Sequence, residues 1–464
     1  MAKVFHSEIY GLRETKYDWL NKHNIKNVKW KRVIPHPDFY LFIPTDNKLA
    51  NHYYSFEKIT DIFPVNSVGI VTARDNFVID FDKKKLERRI EDFRNPKIDD
   101  AIIKQTYDLN ENQSWKIKEQ REKLRKDLDW KDSITKILYR PFDVRWILYH
   151  DEIVERSRKE VMQHMIDDNL GLASVRQVAE GVFNHIIVTT KIIESRITLS
   201  NKGIAYLFPL YLYPEKKRKK ISPIIQMMMF EPEVKYQAKQ PNIKSELFEM
   251  LNKNYSTSPF SSLSLPRSGI EGEVAVTPEE IFYYIYAVLY SNIYRTKYAE
   301  FLKIDFPRVP FTKNYKLFIQ LGKLGKQLAD LHLLKSNELE KTISKFPIEG
   351  NNKVEKPIFR HSELVSESDL PNNKQMLKQV QHDNGKVWIN KEQYFDGVKE
   401  EVWQYQIGGY QVCEKWLKDR KGRTLNLDEI QTYCQIVTAL SKTIELQKET
   451  DRYYQKVEKT IMTE

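Results

Sequence analysis

The four residues Thr277-Pro278-Glu279-Glu280 constrain this chain most, because they mark where one kind of local order ends and another begins. Thr at the N-cap, Pro at the first helical position and Glu three places after the Thr make a capping box. In that arrangement side chain and backbone satisfy each other's open hydrogen-bonding groups at a helix start. Ile281, Ile285, Val288 and Leu289 then fall on one helical stripe. Further helices are predicted at 314–336 and 428–461. Upstream the periodicity is different. "ITKILYRPFDVRWILYH", "LGLASVRQVA", "NHIIVTT" and "AYLFPLYLYP", all within 134–214, are β-branched and aromatic runs punctuated by Gly, Asn and Pro. The fold class these patterns predict is α+β, with a strand-rich region followed by a mostly helical C-terminal part.

The flanking segments complete the expected organisation. "AKVFHSEIYG" (2–11) alternates as a strand, and a short helical pattern follows at "RETKYDWLNKH". "FPVNSVGIVTARDNFVIDF" (63–81) is expected as two strands around Gly69. Residues 83–130 follow as charged helix, with "WKIKEQREKLRKDLDW" predicted to be solvated. Residues 252–270, rich in Ser, Pro and Asn, are expected to be a linker. The predicted parts are therefore 1–62, a strand-rich 63–251, the linker 252–270 and a mainly helical 271–464.

One segment stands apart. "SELVSE" (362–367) and "LKQVQ" (377–381) share no residue pattern, yet codons exist for which the second is encoded by the reverse complement of the first. "RHSELVSES…MLKQVQHD" also resembles a palindromic element scattered through bacterial genomes. Residues 360–383 are therefore expected to be an insertion without function, tolerated in a surface loop. Sequencing the gene checks this: codons unable to pair across the two arms would end the idea.

The 75 basic against 64 acidic residues, a net charge of +11, suit a polyanionic partner, because Lys and Arg contacts release the counterions condensed on phosphates. Two cysteines, Cys413 and Cys434, are too few for a disulfide framework or a four-ligand zinc site. No signal-peptide core opens the sequence, and no apolar run approaches the ~20 residues of a membrane-spanning helix. The expectation is a soluble, cytoplasmic, bacterial protein without a membrane partner. The glycine pattern G-x-G, a P-loop, a nucleophile elbow and any Pro-Pro dipeptide are all missing, so cofactor and catalytic motifs are not found.

"HDEIVERSRKEVMQH" (150–164) holds two histidines and several carboxylates, which admits a metal-dependent nuclease centred on Asp151 beside the plainer reading of a charged loop and helix. His185 is expected to be packed, and the tyrosines of "IFYYIYAVLYSNIYRTKYAEF" to be largely core. The better candidates for DNA contact are Arg140, Arg145, Arg156, Arg158, Arg176, Gln177 and Arg196, with Lys216, Lys217 and Arg218 from "KKRKK". Arg forks suit guanine or phosphate, and Gln suits adenine. Within "YRPFDVRW" (139–146), strand alternation puts Arg140, Phe142 and Val144 on one face and Tyr139, Pro141, Asp143 and Arg145 on the other. Phe142 and Trp146 become core anchors, and Asp143 pairs locally with Arg145 or Arg140. The octet is then scaffold beneath a DNA-reading surface, with Arg145 the exception.

"AKVFHSEIYGLRETKYDWLN", "LYRPFDVRW", "GLASVRQVAEGVFNHIIV", "YLFPLYLYP", "FYYIYAVLYSNIYRTKYAEFLKIDFPRVPF" and "IGGYQVCEKWLKDRKGR" resemble successive blocks of one family. It is the C-terminal target-recognition region of single-polypeptide restriction-modification enzymes of types ISP and IIG, which are adenine-specific DNA methyltransferases. The resemblance implies that 1–62 is the tail of a methyltransferase core, a short β remnant, and that the catalytic motifs precede Met1, so that the chain is N-terminally truncated. It implies double-stranded DNA as partner and no catalytic residue in this chain. S-adenosylmethionine and magnesium are then needs of the complete enzyme only, and a separately encoded methyltransferase or nuclease subunit is a possible second partner. A stand-alone nuclease and a non-functional remnant remain the alternatives.

Overall fold

The structure, a computed structural model, describes residues 3–35, 40, 42, 44, 47–199, 203–214, 239–256, 276–361 and 384–462. Lys216, Lys217 and Arg218 lie outside them, as does the expected insertion apart from Arg360 and His361. The chain divides into two compact units, Met1–Glu57 and Lys58–Met462.

In the first unit β1 (Val4–His6) pairs antiparallel with β2 (Lys31–Val33), with α1 (Arg13–Lys22) between them in sequence and α2 (Asn47–Tyr54) after them. Glu14 in the first turn of α1 and Lys22 in its last agree with the helix dipole. No residue of α1 is buried.

The second unit is built on two four-stranded sheets. Their strands are β3 (Ser67–Val68), β4 (Ile79–Asp80), β5 (Ile134–Arg140), β6 (Asp143–Leu148), β7 (Gly171–Val175), β8 (Ile187–Thr189), β9 (Ile192–Ile193) and β10 (Ala205–Pro209). One sheet runs β9-β5-β6-β4 and the other β3-β10-β7-β8. Only Thr190 and Lys191 separate β8 from β9, so the chain steps directly from one sheet to the other. Where two strands around Gly69 were expected, only β3 forms before it. The residues after Gly69 make single bridges, Ile70 to Glu194 and Val71 to Arg156, before a helical turn at Asp75–Val78.

Asp82 caps α3 (Lys83–Arg94) by accepting from the amides of Lys84 and Lys85, and Leu86, Ile90 and Phe93 form its buried stripe. The helix expected to be solvated, α4 (Ile117–Lys126), buries Ile117, Gln120, Arg121 and Leu124. Arg121 donates to the carbonyls of Phe93 and Asn95 at the end of α3 and of Ile98 in the loop beyond it. A charged sequence thus still has a buried side, because a guanidinium can finish a neighbouring helix.

The octet 139–146 is not one strand. Arg140 pairs with Asp143 across a two-residue turn, Pro141-Phe142, which joins β5 to β6. Pro fixes φ for the first turn position and has no amide to give a ladder, so it ends the strand. Phe142 takes the second position at φ +61°, where glycine or asparagine is usual. Its ring is buried and meets His332 edge-on at 5.8 Å. The alternation predicted across the octet therefore breaks at Pro141.

Ser245–Ser256 is helix (α5), so the first five residues of the expected linker, 252–256, are helical, and the rest of it lies outside the described residues. The capping box opens α6 (Pro278–Tyr290) as predicted, with both reciprocal hydrogen bonds present. The helix packs against α7 (Tyr315–His332) so closely that a side chain at Gly325 would be driven into the carbonyl of Tyr283. Tyr284, Tyr286 and Tyr290 are core, as the sequence suggests. The C-terminal part is less purely helical than predicted: β11 (Ile358–His361), β12 (Asn384–Trp388) and β13 (Tyr394–Lys399) form an antiparallel sheet. α8 (Val412–Lys418) and the 31-residue α9 (Leu427–Val457) follow. His361 pairs with Gly385, so the described residues on either side of 362–383 are strand partners. Cys413 and Cys434 are buried free thiols.

Candidate nucleic-acid interface

Strand register gathers four of the predicted side chains at one end of the sheet β3-β10-β7-β8. Val175, the last residue of β7, pairs with Ala205, the first of β10, so Arg176 and Gln177 emerge beside Gly203 and Ile204. The Gly69 amide donates to the Ala205 carbonyl at 2.9 Å, which brings Ile70 and Val71 to the same end. Ser195 donates to Ile70 at 2.9 Å and accepts from Ala205 at 2.8 Å, which places Arg196 there. Arg156 exchanges both backbone hydrogen bonds with Val71. Arg156, Arg176, Gln177 and Arg196 are all exposed. Arg176 pairs with Asp305 at 3.0 Å, and Asp305 also takes Lys58 at 2.6 Å. Arg156 and Arg196 have no ion pair among the described residues. Arg158 is half-buried at φ +52°, its Nε unpartnered.

Arg140 and Arg145 lie underneath. Arg140 pairs with Glu194 at 2.6 Å, the two side chains being 11% and 7% exposed. Glu194 also accepts from the Ser195 hydroxyl at 2.8 Å and the Arg196 amide at 2.9 Å. Arg140 therefore holds the turn that carries Arg196. Arg145 lies 4.1 Å from the ring centre of Phe81 and 4.0 Å from that of Tyr139, and pairs with Asp143 at 2.6 Å and Asp419 at 3.1 Å. The local Asp143–Arg145 pair was predicted. The second partner of Asp143, Arg420 at 3.0 Å, was not. Both Arg140 and Arg145 are engaged with carboxylates inside the protein, including the one singled out as a surface exception.

Residues from far along the chain complete this end. Gly408 donates to the Asn184 carbonyl at 3.1 Å, Gly409 to that of Thr198 at 2.9 Å, and the Tyr410 hydroxyl to that of Leu199 at 2.6 Å. No motif in "IGGY" announces this role; two adjacent glycines are the only signal.

The acidic and histidine residues of 150–164 disperse. His150 faces Asp127, Asp151 faces Lys159, Glu152 faces Lys123, Glu155 faces Arg74, and His164 accepts from the Tyr213 amide. Among the described residues no group of three or more His, Cys, Asp or Glu side chains is placed to hold a metal. The residues of 150–164 that would have made a nuclease site are thus taken up by separate pairings.

The profile of one protein family, described as Type ISP C-terminal specificity domain, matches residues 61–449. No curated protein matches the chain in sequence. Among solved structures, a nuclease-deletion mutant of the Type ISP restriction-modification enzyme LlaGI, in complex with a DNA substrate mimic, is similar with TM-score 0.59 at 19% identity. That match covers 96% of this chain and 33% of the other. The ATP-dependent Type ISP enzyme LlaBIII bound to DNA gives 0.59 at 19%, over 90% of this chain and 25% of the other. A DrdV–DNA complex gives 0.65 at 16%, over 97% and 43%. At these identities the likeness shows the fold, and the chain spans less than half of each of these proteins.

Proposed function

Because the chain belongs to the family of type ISP C-terminal specificity domains, we propose that it reads double-stranded DNA sequence for a restriction-modification methyltransferase. The observation that carries this reading is the exposed set Arg156, Arg176, Gln177 and Arg196 at one sheet end, inside the matched region. In this reading the arginines hold phosphates and Gln177 reads a base edge. Methyl transfer and cleavage, with the S-adenosylmethionine and magnesium they need, belong to the complete enzyme, which works in the cytoplasm. Among the described residues no helix is long and apolar enough to cross a membrane.

The first unit supports a protein partner that carries the catalytic part. Phe5, Tyr10, Leu12, Tyr17, Leu20 and Ile25 are each more than half exposed, an unusual density for so short a stretch. A covering domain would bury them.

Selection from a random duplex library tests the reading. Enrichment of one sequence is expected, with binding that weakens steeply as salt rises. Arg196→Ala is expected to lower the salt slope by about 1 without altering the selected sequence, and Gln177→Ala to relax the preference at one position. Equal binding across the library would sink the proposal. A second arm adds the separately expressed methyltransferase part of a type ISP enzyme. A stable complex by native mass spectrometry is expected, and its absence removes the partner.

A further inference from the structure

A small cleft opens at the same sheet end. It encloses about 230 Å³ and is lined by Glu180, Val182, Asn184, His185, Gln406 and Gly409, among others. His185 is 4% exposed, and its Nδ1 is buried without a hydrogen-bond partner. Burial first, then the nearby Arg295, pushes the imidazole down to about 4, so the ring is neutral and offers one donor and one acceptor. Asn184 Oδ1 beside it, and Thr198 Oγ1 behind the Gly408-Gly409 turn, are also buried and unpartnered. Buried polar groups are nearly always paired, so the two such atoms on residues lining this opening, His185 Nδ1 and Asn184 Oδ1, ask for a ligand.

Size and chemistry narrow that ligand. The cleft is smaller than the ~300–1,000 Å³ typical of sites that take whole small molecules, so a nucleotide with its sugar and phosphate exceeds it. The rim supplies the Glu180 carboxylate, an acceptor only, and the Gln406 amide, which gives and accepts. A carboxylate and an amide suit the exocyclic amine of cytosine or adenine. Because His185 lies inside, a base reaches it only by leaving the stack.

We infer that this cleft takes a single amine-bearing nucleobase, adenine or cytosine, turned out of the duplex and met by His185, Glu180 and Gln406. The inference rests on the DNA-reading function proposed above. If it holds, His185 is a specificity residue rather than only a packed histidine.

The test uses the whole chain with ¹⁵N-labelled histidine and three free bases: 9-methyladenine, 1-methylcytosine and 1-methylthymine, which lacks the amine. The first two are expected to shift the His185 ring signals and the third to leave them unmoved. Equal responses to all three, or none, overturn the inference and leave ordered water as the occupant. A second arm compares wild type with Glu180→Gln and His185→Phe on the selected duplex. Discrimination at one base position is expected to fall about 5- to 100-fold in each, with affinity for unrelated DNA unchanged. Glu180 is exposed, so its variant reports even if His185→Phe fails to fold. Retention of full discrimination by Glu180→Gln also overturns the inference. Tighter binding when that base is mispaired marks the ligand as an extruded DNA base, since unpairing is then already done. A chain that binds all duplexes alike yet responds to free amine-bearing bases keeps the cleft and loses the specificity function. A chain that prefers one sequence while His185 stays silent does the reverse.

Discussion

Replacing Asp143 with Ala is expected to cost about 3–5 kcal/mol of folding stability, read as a lower denaturant midpoint. The carboxylate is almost wholly buried and accepts from Arg145 through Nε at 3.0 Å and Nη2 at 2.6 Å, and from Arg420 at 3.0 Å. Arg420 is itself 5% exposed and stacks 3.4 Å above the Trp416 ring. Removing the anion leaves two guanidinium groups near one another away from water with one carboxylate each, Asp419 for Arg145 at 3.1 Å and Glu429 for Arg420 at 3.4 Å, and a buried charge that loses a partner is costly. The pair also joins β6 to the loop that follows α8, so the loss is felt on both sides of the second unit. Burial raises the Asp143 pKa, but Arg420 and Arg145 outweigh it and hold the group below the ordinary carboxylate range. A depressed folded pKa contributes stability above the unfolded value and loses it as pH falls toward the folded one. The wild type should therefore lose stability on acidification below the usual carboxylate pKa, and Asp143→Asn should lack that component. An Asp143→Ala chain within about 0.5 kcal/mol of wild type would contradict the buried network.

That network shows where sequence legibility ended. The pairing of Asp143 with Arg145 is two residues long and could be read from the octet. Arg420 is 277 residues away, and no local pattern connects them. The capping box at Thr277 was legible because every group in it lies within four positions, and both of its hydrogen bonds form. Helices with clear 3.6-residue stripes, such as α6, α7 and α9, were likewise visible. The octet misled because alternation was carried through Pro141, although a proline removes the amide that a continuing strand needs. α4 misled in the opposite sense: its charges suggested solvent on all sides, while Arg121 finds its partners in carbonyls at and just beyond the end of α3 and in Asp100. For the candidate interface, residue type picked out Arg156, Arg176, Gln177 and Arg196. Their convergence depends on the register of β7 with β10 and on two isolated bridges, which are tertiary facts. Arg140 and Arg145 look the same in sequence as the exposed arginines. Only the positions of Glu194, Asp143 and Asp419 distinguish support from surface.

Gly408→Ala is expected to lose about 2–5 kcal/mol of stability and, with it, the sequence discrimination assigned to the His185 cleft that Gly408 lines. Gly408 has φ +62°, a left-handed conformation that costs an L-residue roughly 1–2 kcal/mol. Its added Cβ would be driven into the Thr198 carbonyl and would lie 2.8 Å from the Thr198 Cβ. The turn must then lift away, and its bonds from Gly409 to Thr198 and from Tyr410 to Leu199 stretch or break, each worth about 0.5–1.5 kcal/mol. Gly422→Ala is the matched control, since it has φ +81° and open space within 4 Å of the added Cβ. It should show the backbone cost alone, roughly 1–2 kcal/mol, with DNA preference intact. The consequences for DNA follow from what each side chain hangs on. Arg156 and Arg176 are placed by sheet hydrogen bonds that Gly408 does not touch, so salt-sensitive binding to any duplex should survive. The turn at Asn184, which lines the His185 cleft with Gly408 and Gly409, is placed by the 408–410 turn, so the discrimination assigned to that cleft should be lost while the preference read by Gln177 remains. Denaturant unfolding and library selection on the two variants separate these effects. Equal stability losses in both would show that the close approach at Thr198 carries no load, and an unchanged selected sequence in Gly408→Ala would show that the turn does not shape the reading surface.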